Sequence, residues 1–104
     1  MSLGGLSEVM EVDEAVQNFC DAVKWSVERK TNQTYDVFVA KTYRSQVVSG
    51  LNYFIKVHVG GDEYIHLRVY EPPRPLALHG VLESKTQDST IDYFEQNVEL
   101  PVTV

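Results

Sequence analysis

Cys20, Asn52, His58, His66 and His79 are the residue types from which a thiol hydrolase assembles its nucleophile, base and orienting amide. Their setting argues against that chemistry. Cys20 stands beside Phe19 and Val23 in an apolar stretch, where a thiol stays protonated and inert. His58 and His66 share a face if the strands carrying them pair, but two imidazoles without a third ligand make a poor metal site, and that face reads as solvated. Asn32-Gln33-Thr34 fits the N-glycosylation pattern, which is silent without a secretory route. No catalytic residue, metal or cofactor is therefore expected, and the chain does not read as an enzyme. Another stretch is unusual without being reactive. Gln46-Val47-Val48-Ser49-Gly50 brings two valines to a Ser-Gly tip, and no charge interrupts residues 45–53. One reading ends a strand on β-branched residues. The other has a hairpin tip that offers apolar side chains to a partner.

The elements that would hold this tip can be read from periodicity. Val12, Val16, Phe19, Val23 and Val27 recur at spacings of three and four and predict a helix over 13–30. Asp13 suits its N-cap, Arg29 and Lys30 suit its C-terminal dipole, and Thr31-Asn32 breaks the pattern. Residues 35–48 read as a strand of muddled period: Val37, Val39, Tyr43 and Val47 fall on one face, Phe38, Ala40 and Val48 on the other. A bulge or two-sided burial would account for that. Residues 51–59 and 64–70 alternate more cleanly around the turn Gly60-Gly61-Asp62. Because paired strands share one apolar face, Val57 must oppose Leu67 or Ile65 and not His66. Pro72, Pro73 and Pro75 end the strand before them. Residues 76–82 and 90–94 are candidates for a last strand and a packed C-terminal segment, and 95–104 reads as a loosely held tail. One helix followed by hairpin-linked strands predicts an α+β fold, the helix packed on an antiparallel sheet.

Composition narrows the function. With 104 residues the chain has room for one domain. Its formal charge of −6 works against phosphate backbones and anionic membrane surfaces, so neither nucleic acid nor membrane is an expected partner. No apolar run approaches the roughly 20 residues of a bilayer span. Residues 1–10 carry no Lys or Arg and no unbroken apolar stretch, and one cysteine permits no internal disulfide. These features predict a cytoplasmic protein.

The tip also carries a resemblance. Gln46-Val47-Val48-Ser49-Gly50 resembles the Gln-Val-Val-Ala-Gly loop of the cystatin superfamily, with Ser49 the departure. Leu51 to Val57 looks like the strand after that loop in the stefins, the intracellular cystatins. Gly4-Gly5-Leu6-Ser7, Lys30 to Tyr35, His66 to Tyr70 and Asp92-Tyr93-Phe94 resemble further stefin segments in the same order, so the likeness spans about residues 4–94. It implies one long helix gripped by a curved antiparallel sheet of four or five strands, in a single domain over 1–94. It implies reversible, tight inhibition of papain-like cysteine proteases such as cathepsins L, H, B and S. In the family, three segments form a wedge. Carried over, they are the arm at Gly4 and Gly5, the loop Gln46, Val47, Val48, Ser49 and Gly50, and a second hairpin near 71–75 that includes Pro72 and Pro73. That second hairpin is several residues shorter than in stefins, stiffened by proline, and reaches less far. Residues 95–104 extend past the family's usual end. A monomer is expected. The alternatives are a non-inhibitory interaction module of the same fold, or a domain-swapped oligomer hinged at Val48-Ser49-Gly50.

Overall fold

The computed structural model describes residues 5–71 and 76–99. The elements run β1 (Met10–Glu11), α1 (Glu14–Thr31), β2 (Val39–Val48), β3 (Gly50–His58), β4 (Tyr64–Glu71) and β5 (Ala77–Lys85). All five strands join one antiparallel sheet in the order β1-β2-β3-β4-β5. The expected α+β architecture is the observed one.

The Asp13 carboxylate accepts from the Val16 N–H at 3.0 Å and caps α1. Asn32 ends the helix in the left-handed region, φ 57°, which asparagine tolerates. Between these caps Val16, Cys20, Val23 and Val27 are buried on one stripe. They pack with Ile55, Val57, Ile65, Leu67, Val69, Leu78 and Val81 of the sheet in a single core. Each such side chain withdrawn from water contributes roughly 1.5–3 kcal/mol. Val57 opposes Ile65 and Ile55 opposes Leu67, the parity that a shared apolar face requires.

The muddled period of the first long strand resolves into a bulge. Ala40 pairs with Val57 but Thr42 pairs with Lys56, which leaves Lys41 as the extra residue. Phe38 and Ala40 therefore face the core before the bulge and Tyr43 after it, while Val37 and Val39 are exposed. Gln17 of α1 serves the backbone there: its carboxamide donates to the Phe38 carbonyl at 3.2 Å and accepts from the Ala40 N–H at 2.9 Å.

The sheet's other face departs from expectation. It reads as solvated in the sequence, yet Phe54 is 0 % and His66 1 % exposed. Residues 86–98 run across it as a strap. Lys56 Nζ donates to the Gln87 and Ser89 carbonyls at 2.5 and 2.6 Å, and Arg68 Nη1 donates to the Phe94 carbonyl at 2.8 Å. The rings of Tyr93 and Phe94 lie 5.6 Å from that of Phe54. Cationic side chains here take up the strap's backbone carbonyls, so residues 90–94 are held to the sheet without forming a strand; Ile91 is buried, while Thr90, Asp92 and Tyr93 stay exposed. The start of the expected loose tail is also fastened. Asn97 donates to the Val81 carbonyl and accepts from the Val81 N–H, and the Asn97 and Val98 amides both reach the His79 carbonyl. Gly80 leaves the room for this, since a Cβ there would stand 2.8 Å from the Phe94 ring.

Candidate functional site

The arm, the hairpin tip and the end of β4 meet at one end of the sheet. The arm is laid along β2 by backbone pairing. The Ser7 N–H donates to the Ser45 carbonyl at 2.7 Å, the Ser45 N–H donates to Ser7 Oγ at 2.9 Å, and Leu6 bridges Gln46. Gly5, just ahead of this anchor, is exposed. Across β3 from the tip, Leu51 pairs with Glu71, so the last residue of β4 flanks the same end. Gly4, Pro72 and Pro73, the remaining expected contact residues, lie outside the described residues.

The tip is as tight as a hairpin can be made. Val48 pairs with Gly50, with Ser49 alone at the apex. Gly50 sits at φ 111°, a conformation L side chains rarely adopt, and a Cβ would lie 3.0 Å from the Glu71 carbonyl oxygen and from the Tyr70 ring. The Tyr70 hydroxyl donates to the Ser49 carbonyl and ties the apex to β4. Val47 is 48 % and Val48 37 % exposed. Successive residues of a strand point to opposite faces, so the two valines project from the two sides of the tip.

Gln46 has a different station from its neighbours. It is 6 % exposed, and its Oε1 accepts from Asn52 Nδ2 at 2.8 Å across the hairpin. This buried pair braces the tip from behind. Tyr53 stands below on the helix side, its ring edge-on to Phe19 and its hydroxyl donating to Glu71 at 3.2 Å. Burial, then the Glu71 carboxylate, pushes its hydroxyl up to about 12. The hydroxyl therefore remains a donor at neutral pH.

Among the described residues, none at this end is arranged for bond-making chemistry. Cys20 lies inside the core, its thiol pushed up to about 12 by burial and by Asp21, so a thiolate is scarce at neutral pH. Among the described residues no group of three or more His, Cys, Asp or Glu could hold a metal ion, and no helix is long and apolar enough to cross a membrane. What the end offers is a narrow, apolar, braced edge. The sequence marks its glycine and valines. The Gln46–Asn52 brace and the Tyr70 tie depend on cross-strand register, which the residue pattern does not display; the two amides at equal distances from the turn are the signal it offers.

A cystatin domain is matched over residues 4–93. The chain is 49 % identical over 98 residues to cystatin-B of Oplegnathus fasciatus, covering 90 % of this chain and 98 % of that one. It is 47 % identical to cystatin-B of Paralichthys olivaceus, covering 90 % of this chain and all of that one. It is 45 % identical to leukocyte cysteine proteinase inhibitor 1 of Sus scrofa, covering 90 % and 95 %. With such likeness over nearly its whole length, the chain belongs to the cystatin family, among its stefins.

Proposed function

We propose that the protein is a reversible, tight-binding inhibitor of papain-like cysteine proteases, and that it acts by filling the active-site cleft. The observation that carries this reading is the meeting of the Gly5–Ser7 arm, the Val47–Gly50 tip and Glu71 at one end, with two valines exposed on a braced hairpin. The names of its relatives, among them a cysteine proteinase inhibitor, support it. Gly4, Gly5, Val47, Val48, Ser49 and Gly50 would enter the cleft with Pro72 and Pro73 beside them, and Gln46 would hold the tip in shape.

The physics favours such a use. A loop that must be ordered on binding loses affinity, whereas this tip is ordered beforehand by strand pairing and the Tyr70 tie. Valines have little rotamer freedom to lose. Burying the exposed part of each contributes about 1 kcal/mol. An edge of this kind excludes substrate without presenting a bond for cleavage, so the protein inhibits and does not catalyse. Cathepsins L, H, B and S are the proteases we assign to it, met as a monomer and in the cytoplasm. The free, buried Cys20 is compatible with that reducing compartment.

Titrating a fixed amount of active papain with the protein tests the proposal. Residual activity should fall linearly to near zero at one equivalent. Full activity at micromolar protein would refute it.

A further inference from the structure

Arg44 occupies a position that the inhibitory edge alone does not explain. It lies in β2 on the strap side of the sheet, opposite Phe54 and two residues before Gln46. Its Nε donates to the Ser7 carbonyl at 2.7 Å and its Nη1 donates to the Ile91 carbonyl at 2.7 Å. One guanidinium thus joins the arm at the start of the domain to the strap at its end. The strap does not depend on Arg44, because Lys56 and Arg68 hold it elsewhere. The described part of the arm is also tied by the Ser7–Ser45 pair and the Leu6–Gln46 bridge.

We propose that Arg44 is a positioning residue for inhibition: its guanidinium clamps the Ser7 carbonyl against the fixed post of Ile91, so that Gly5 and Leu6 are presented already aligned with the tip. The proposal rests on the inhibitory reading above and adds what sets the arm's course. An unanchored arm would lose its freedom only on entering the cleft, and glycine has the most freedom to lose. Two short charge-assisted bonds move that loss into folding. The fork geometry matters, because a lysine ammonium supplies the charge but not two rigidly spaced donors aimed at carbonyls on opposite sides.

The test is a cycle on the full chain with papain as the probe. Wild type, Arg44→Gln, Arg44→Lys, a form lacking residues 1–6, and that form carrying Arg44→Gln are compared by inhibition constant and dissociation rate. Arg44→Gln should raise the inhibition constant about tenfold, chiefly through faster dissociation, and Arg44→Lys should recover less than half of that loss on a logarithmic scale. In the form lacking residues 1–6, Arg44→Gln should change it by no more than about twofold. An equal loss with and without the arm, or no loss in either, would overturn the proposal, as would an arm deletion without effect. Hydrogen exchange on the free protein reads the anchor without any protease. The Ser7 and Ser45 amides should exchange faster in Arg44→Gln while those of Ile55 and Leu67 stay protected. Unchanged Ser7 and Ser45 exchange would overturn the proposal as well. If wild type failed to inhibit papain, the inhibitory reading would fall, and this exchange result would still decide whether Arg44 anchors the arm.

Discussion

Acid should destabilise this protein through His66. The side chain is 1 % exposed under the strap, and its Nε2 has no hydrogen-bond partner among the described residues. Burial first, then the charges of Lys56 and Lys85, push the imidazole down to about 4, with Asp92 opposing. In the unfolded chain it titrates near 6.5. The folded form binds its proton less readily than the unfolded form, so the stability present above pH 6.5 is lost as pH falls toward 4. For one group with these two values the loss is about 2 kcal/mol between pH 7 and pH 5, and approaches about 3 kcal/mol at pH 4. A domain of this size has about 5–15 kcal/mol in total. Urea unfolding followed by circular dichroism, at half-unit steps from pH 7.5 to 4, measures it in wild type and in His66→Gln. The half-exposed His79, lowered by burial and by Arg68, adds to both curves alike and cancels in the difference. Wild type should lose about 2 kcal/mol more than the variant between pH 7 and 5. Parallel curves would show that His66 does not carry a depressed pKa and would refute the reasoning.

Further outcomes follow from other contacts. Gly50→Ala should cost about 1–3 kcal/mol in thermal or urea unfolding, because a Cβ at φ 111° meets the backbone of Glu71, and inhibition should weaken with it; full stability would contradict the geometry. Val48→Asp should leave the unfolding midpoint nearly unchanged while weakening papain inhibition by about 3 kcal/mol, a carboxylate being buried unpaired in the cleft. An unaltered inhibition constant would remove Val48 from the contact. Asn97→Ala should cost about 1–2 kcal/mol by freeing both backbone groups of Val81, and an unchanged urea midpoint would show that this edge needs no partner.

The half of the molecule that faces α1 was legible in the sequence, since its signals are periodic. The valine stripe with Asp13 ahead of it marks the helix, and alternation on either side of Gly60-Gly61 restricts Val57 to opposing Ile65 or Leu67, of which Ile65 is the observed partner. The tip was legible too, as a glycine behind two valines where polar residues would be ordinary. The strap was not. Lys56, His66 and Arg68 alternate with apolar residues as a solvated face would, and what covers them is a non-periodic segment held through its carbonyls, which any residue type supplies. Phe54, out of place on that polar face, and the pair Tyr93-Phe94 were the hints. The bulge was visible as a broken period, but its placement at Lys41 depends on how Gln17 of the helix engages Phe38 and Ala40, a tertiary matter.

That one end of the sheet enters the protease cleft is tested most directly by mapping hydrogen exchange on the protein alone and in complex with papain. Amides of residues 5–7, 46–51 and 71 should slow in the complex, while those around the exposed Trp25 and the helix C-terminus should be unaffected. Protection at Trp25 to Gln33 with the Val47–Gly50 tip still exchanging freely would contradict the account.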